Sequence, residues 1–215
     1  MGLIKQGILD GVSGKVGNVI GSSWRGRDFV RIKPAIVHDA NSKKQQDQRT
    51  RFAGIVHFAQ IIKYPIIKPI WNGASGNITG HNLFVKTNMS AFDEHGDIKD
   101  YSKLKLSTGD IYLPADFKIA MNSETKSLDI SWKEDMLMFP QVADECLNLI
   151  IFNKNDEKHR PRAFYNLEPR TKTSQSVLID MYDEGSVLEI YAFFAHSEFT
   201  VFSESIHKEV EVSLT

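Results

Sequence analysis

The chain has 215 residues, 41% hydrophobic and 25% charged, a composition that fits one large globular domain or two small ones. Its single cysteine, Cys146, excludes an intrachain disulfide and a cysteine-based metal site, and no run approaches the roughly 18 apolar residues of a membrane helix. The net charge of −1 balances two unlike stretches: residues 1–91 carry 13 Lys+Arg against 4 Asp+Glu, about +9, and residues 92–215 carry 13 against 23, about −10.

Residues 1–10 do not read as a signal peptide, because the apolar run is short and Asp10 interrupts it. Gln6 breaks the myristoylation pattern. The expectation is a cytoplasmic protein, or one exported without a cleaved signal peptide. Gly7, Gly11, Gly14, Gly17 and Gly21 punctuate the first segment and predict bulges or close backbone approach. Lys15–Trp24 and Asp28–Lys33 read as a β-hairpin around a turn at Arg25-Gly26-Arg27. Alternation puts Val30 and Ile32 on one face and Phe29, Arg31 and Lys33 on the other. Pro34 ends the hairpin.

Asp39-Ala40-Asn41-Ser42 supplies N-cap candidates for a helix. That helix is polar over Lys43–Arg51, and then Phe52, Ile55, Val56, Ala59 and Ile62 recur at helical spacing. Pro65 is expected to break or kink it, and Ile66, Ile67, Ile70 and Trp71 form a second apolar piece that Pro69 limits. Trp71 is expected in the helical core. Thr79 caps a third helix, with Leu83, Phe84, Thr87 and Ala91 on one face.

From Tyr101 the period becomes two. Strands are expected at Leu104–Ser107, Asp110–Leu113, Phe117–Met121, Ser127–Lys133, Leu147–Asn153, Arg162–Leu167, Ser176–Met181, Val187–Ala195 and Thr200–His207, with turn signals between them. This spacing is that of a β-sandwich, and the arrangement resembles a fibronectin type III or immunoglobulin-like module without a disulfide. Trp132 shares an inward face with Leu128 and Ile130. Cys146 lies in an apolar run and reads as a packing residue rather than a reactive thiol.

No catalytic motif survives inspection. Gly11-Val12-Ser13-Gly14-Lys15-Val16 fails as a phosphate loop, because Leu9 stands where a glycine is needed and Val16 where Ser or Thr is needed. The seven histidines show no i,i+4 zinc-helix spacing, and no Gly-x-Ser-x-Gly elbow occurs. The adjacent carboxylates Asp93/Glu94, Glu134/Asp135 and Asp183/Glu184 sit at turns, where solvation explains them. No cofactor, metal or catalytic residue is therefore assigned.

A basic, aromatic surface is the candidate site. Trp24, Arg25, Arg27, Phe29, Arg31 and Lys33 lie on the hairpin, and Lys43, Lys44, Arg49 and Arg51 lie on the following helix. Such a surface could track phosphates and stack bases, or face an acidic protein surface. The acidic second stretch would repel a polyanion and so disfavours a dedicated nucleic-acid binder.

Three stretches carry a family resemblance: Gly14 through Arg31, Gln45-Gln46-Asp47-Gln48-Arg49-Thr50-Arg51-Phe52, and Leu104-Lys105-Leu106-Ser107-Thr108-Gly109-Asp110-Ile111. Together they resemble a family of Bacteroidota proteins about 200 residues long, found also on mobile elements and catalogued as a domain of unknown function. The resemblance covers the first 110 residues or so and implies no activity, cofactor or catalytic residue. Ala40-Asn41-Ser42-Lys43 departs from a Pro-Arg-Thr that follows the hairpin in relatives.

The expected architecture is α+β: a Gly-rich β-hairpin plus helices over 1–98, then an acidic antiparallel β-sandwich of immunoglobulin or fibronectin type III type over 99–215. The expected function is non-enzymatic: a structural or protein-interaction module that binds a protein partner or itself, of the kind a phage-like or mobile element uses in assembly. The alternative is a ligand binder, for a glycan or a nucleic acid, working through the basic, aromatic hairpin.

Overall fold

The computed structural model describes residues 2–4, 13–24, 26–36, 39–74, 78–133, 144–156 and 158–213. The chain groups into two compact units, Met1–Ser42 and Lys43–Thr215.

The first unit is one antiparallel sheet of β1 (Gly2–Ile4), β2 (Gly14–Val16), β3 (Val19–Trp24) and β4 (Arg27–Ile32), in the order β1-β4-β3-β2. The expected hairpin is β3–β4, with Val19 opposite Ile32 and Trp24 opposite Arg27. A second hairpin, β2–β3, turns at Gly17-Asn18. Two-residue hairpin turns require positive φ, which Gly17 (φ +59°) and Gly26 (φ +72°) adopt without a Cβ penalty. Gly17 therefore serves a turn rather than the expected bulge. Gly7 and Gly11 lie outside the described residues.

The second unit begins with α1 (Lys43–Ile61), which follows directly on the predicted capping stretch. The helix does not end at Pro65. It widens into a π-helical segment, Lys63–Trp71, in which Ile67 donates to the Ile62 carbonyl five residues back at 3.2 Å. Pro65 and Pro69 have no N–H to donate, and the wider turn keeps Ile66, Ile67, Ile70 and Trp71 all buried. A single turn, α2 (Asn72–Ala74), follows. In α3 (Gly80–Asn88) the Thr79 hydroxyl accepts the Asn82 N–H at 3.2 Å, the expected cap.

The described residues of the unit continue with seven strands: β5 (Lys118–Asn122), β6 (Ser127–Ser131), β7 (Glu145–Asn153), β8 (Arg162–Phe164), β9 (Ser174–Leu178), β10 (Val187–His196) and β11 (Ile206–Glu211). They form a three-stranded sheet, β5-β6-β9, and a four-stranded sheet, β11-β10-β7-β8, all antiparallel. The chain changes sheet after β6, β8 and β9. This is a Greek-key β-sandwich of fibronectin type III and immunoglobulin-like type, and the fold is α+β as expected.

Three expected strands differ. Leu104–Ser107 and Asp110–Leu113 form no ladder. Leu104 and Leu106 alternate because they are buried from an extended stretch, while Asn88 receives the Lys105 N–H at 2.6 Å. Thr200–His207 is displaced to Ile206–Glu211 by a bulge. Ala192 faces Ile206 and Ala195 faces Phe202, so three residues on one strand oppose two on the other. Ser203 fills the gap, its hydroxyl accepting the Phe194 N–H at 2.9 Å and donating to the Glu204 carbonyl at 2.8 Å.

The four-stranded sheet is buried on both faces. Leu147, Leu149, Ile151, Leu188, Ile190 and Phe194 face the three-stranded sheet, where Trp132 packs with Leu128 and Ile130 as expected. Trp132 stands edge-on to Phe194 and donates from Nε1 to the Arg170 carbonyl at 2.7 Å. On the other face Ile150, Phe152, Tyr191 and Phe193 pack against Phe58, Ile62, Ile70 and Trp71 of the helices. Trp71 is fully buried and donates to the Leu106 carbonyl at 2.9 Å. The 98/99 boundary expected from periodicity thus runs between two layers that share one core, and residues 43–98 group with the strands.

Candidate interaction surface

The hairpin residues of the expected surface lie in the first unit. Cross-strand partners share a face, so Trp24 and Arg27, Ser22 and Phe29, and Ile20 and Arg31 stand together on one face of the sheet. Lys15, opposite Ile20, extends that face onto β2. Lys33 continues the alternation past the strand end, its N–H on the Asn18 carbonyl at 2.7 Å. This face is basic and aromatic. The other carries Val16, Val19, Val30 and Ile32 around Asp28. Arg25 lies outside the described residues.

Within this unit no second layer is placed over the sheet among the described residues. Val16 is 67% exposed, Ile32 75% and Ile36 73%. Among the residues of this unit whose burial is described, only Gly21 is buried. Val16 and Ile32 are thus paired through their backbone while their side chains meet water.

The helical residues of the expected surface belong to the second unit, so the set divides between the two. Lys43 pairs with Asp47 at 2.8 Å, and the hydrogen bond to that carboxylate raises its pKa. Lys44 and Arg49 are exposed. Arg51 is half-buried and donates from Nε to the Asp93 carbonyl at 3.4 Å, tying α1 to the loop that follows α3. The charge asymmetry divides differently as well. Residues 1–42 hold 6 Lys+Arg against 3 Asp+Glu, and residues 43–215 hold 20 against 24. Much of the positive stretch is the helical layer that packs on the acidic sandwich.

One polar cluster is not legible in the sequence. Glu189 on β10 is buried on the helix-facing side of the sheet, bonded to His207 Nε2 on β11 at 2.6 Å and to Lys154 Nζ at 3.3 Å. Glu209 holds the same lysine at 3.0 Å and raises its pKa. The Tyr191 hydroxyl donates to the Tyr101 carbonyl at 2.7 Å, and burial pushes its pKa far up. A buried carboxylate between two basic groups is a satisfied ion-pair network. Its members are 18 and 35 residues from Glu189 in sequence, a separation that leaves no local motif.

Cys146 is half-buried on β7. Burial, followed by the nearby Asp144 and Glu168 carboxylates, pushes its thiol pKa up, the reverse of an activated nucleophile. Among the described residues no three His, Cys, Asp or Glu side chains stand close enough together to hold a metal ion. Nor is any described helix long and apolar enough to cross a membrane.

Two solved structures overlap about half of this chain. Chicken CNTN1 FN1–FN3 domains are 11% identical, with 49% of this chain and 33% of that one covered and a TM-score of 0.37. The selenomethionine-substituted chicken interferon gamma receptor alpha chain is 13% identical, with 47% and 51% covered and a TM-score of 0.34. The chain therefore spans between a third and a half of those chains' lengths. No curated protein matches the sequence. A family model, by contrast, covers residues 11–207, from within the first unit to the start of the last strand, and on that match the chain belongs to the family of unknown function DUF6266.

Proposed function

We propose that this protein is a non-enzymatic interaction module and that its N-terminal sheet is the binding element. The observation that carries this reading is the exposure of Val16 and Ile32 on paired strands, at 67% and 75%. A four-stranded sheet with one apolar face gains stability by covering that face, and exposed apolar area on an ordered element is the usual mark of a binding surface.

The occupant we assign is a second copy of the chain. The basic face, with Arg27, Arg31 and Lys33, complements residues 92–215, which carry 13 Lys+Arg against 23 Asp+Glu. Contact between unlike patches is heterologous and builds rings or filaments rather than a closed two-fold dimer. Charge on the basic face supplies steering, and the apolar face, on the opposite side of the sheet, offers area to a further copy. Such contacts weaken with salt, because exposed charges are screened beyond roughly 8–10 Å.

Sedimentation velocity from about 0.05 to 0.5 M salt tests this. The expected result is species larger than a monomer at low salt, dissociating as salt rises, with Arg27→Glu/Arg31→Glu/Lys33→Glu monomeric throughout. A strict monomer at every salt and at high protein concentration overturns self-association. Saturable, salt-sensitive binding of a single-stranded oligonucleotide by that monomer would give the same face to nucleic acid instead.

A further inference from the structure

A cleft of about 460 Å³ opens within the second unit, between α1, the loop after α3, and the loop joining β7 to β8. Its lining is of two kinds. Phe58, Ile61, Phe92 and Ile98 form an apolar floor. Lys158, His159 and Arg160 stand at the mouth, with His57 from α1 and one carboxylate, Asp97.

The basic turn is built rather than incidental. The Asp156 carboxylate accepts the Lys158 N–H at 3.0 Å and the Arg160 N–H at 3.4 Å, and the His159 N–H reaches the Asp156 carbonyl at 3.0 Å. Those backbone N–H groups, the Lys158 one first, hold the Asp156 pKa below its ordinary value. His159 adopts φ +46°, a left-handed conformation few side chains take. Its Nδ1 lies 3.5 Å from the Tyr101 hydroxyl. The Arg160 charge also acts on the Asp156 carboxylate, while no described carboxylate lies within ion-pair distance of either Lys158 or Arg160. Lys158, His159 and Arg160 thus line one cleft together, in the stretch of chain that is otherwise acidic, 13 Lys+Arg against 23 Asp+Glu.

The floor depends on a close backbone approach. A Cβ on Gly54 would run into the Gly96 carbonyl, so α1 and the loop after α3 touch only because residue 54 is glycine. That contact sets the loop carrying Phe92, Asp97 and Ile98 beside the helix.

We propose that this cleft binds a small organic anion whose charge sits at one end of a flat apolar body. Lys158 and Arg160 would take the charged end through charge-assisted hydrogen bonds. The Phe58, Ile61 and Ile98 floor would take the body, as apolar pockets with a few convergent polar groups do. Asp97 selects against ligands charged all round.

Phenyl phosphate is the probe, titrated into ¹⁵N-labelled full-length protein and followed by amide shifts. The expected result is saturable binding with shifts at Gly54, Gly96 and Lys158–Arg160. Lys158→Ala/Arg160→Ala should weaken binding at least about tenfold, with an unchanged circular dichroism spectrum because both side chains are exposed. Phenol and inorganic phosphate, tested on the unaltered protein, should each bind at least about tenfold more weakly. Asp97→Asn should tighten binding. Equal affinity in the double variant, phosphate binding as tightly as phenyl phosphate, or shifts confined to Arg27–Lys33 would each overturn the proposal.

Discussion

The two compact units hold their sheets in opposite ways. In residues 43–215 a four-stranded sheet is covered on both faces, by a second sheet and by helices, and Tyr191, Phe193 and Phe194 on one strand are all fully buried. In residues 2–42 a sheet of equal strand number has, among the described residues, no covering layer of its own, and the one residue there described as buried is a glycine. The sheet of the second unit is ordered by packing. The N-terminal sheet relies on backbone hydrogen bonds and turn geometry, which contribute little net stability in water. The lesson is that backbone pairing specifies a shape, whereas apolar cover makes it independent of a partner.

Truncation gives the largest test of that contrast. A fragment of residues 43–215 should retain a cooperative melt within a few degrees of the full chain. A fragment of residues 99–215 should not. It would bare Ile150, Phe152, Tyr191, Phe193 and Phe202, five side chains that the helical layer now helps cover. At roughly 1.5–3 kcal/mol each, their exposure is on the order of 10 kcal/mol, as large as the net stability of a domain. Thermal melts followed by far-ultraviolet circular dichroism decide it. A cooperative transition in the 99–215 fragment would mean the sandwich is a domain in its own right.

Single substitutions resolve the contrast at a smaller scale. Trp132→Ala removes a buried ring against Phe194 and the Nε1 bond to the Arg170 carbonyl, and should destabilise by about 3–5 kcal/mol. Ile32→Ala, on the exposed face of β4, should change stability by under about 0.5 kcal/mol. Urea titration of each variant measures both. A loss under about 1 kcal/mol at Trp132 would sink the inward-face assignment. A loss of core size at Ile32 would show that its face is covered.

Much of this fold is legible in the sequence, and the misses share a cause. Thr79, helices α1 and α3 and six of the nine expected strands follow from caps and periodicity. Leu104 and Leu106 mislead, because alternation reports which side chains are buried and not whether the backbone has a ladder partner. Pro65 misleads in the opposite sense. It removes a donor, yet Ile66, Ile67, Ile70 and Trp71 gain enough from burial to hold the chain helical at a wider pitch. The run Val187–Ala195 is apolar but for Glu189 and shows no alternation, the pattern of a strand buried on both faces. It implies a third layer over the sandwich, and the helical stretch is the part of the chain able to supply it. The candidate surface reads less well. Counting charge along the chain merges the hairpin with α1, whereas contacts divide them. The Glu189–His207–Lys154 network and the cleft beside His159 come from residues far apart, so no local motif marks either one.

Alkaline pH separates the units by the smallest effect. All six tyrosines lie at or beyond Tyr64, so the first unit has none to ionise. The Tyr165 hydroxyl is buried with no protein partner among the described residues, and burial pushes its pKa up to about 12. A phenol with a raised folded pKa keeps its proton in the folded state and loses it more readily on unfolding. Its contribution is fully present below the unfolded pKa near 10 and is lost as pH rises toward 12. Stability of the second unit should therefore fall between pH 10 and 12, with delayed ultraviolet absorbance of the tyrosinate. Tyr165→Phe should flatten part of that fall and cost little at neutral pH, because the hydroxyl gives up no protein hydrogen bond. Tyr191→Phe should cost about 1 kcal/mol at pH 7 through the lost bond to Tyr101. Equal losses for the two variants at neutral pH would show that Tyr165 has a partner of its own, and the burial argument for its late titration would fail with it.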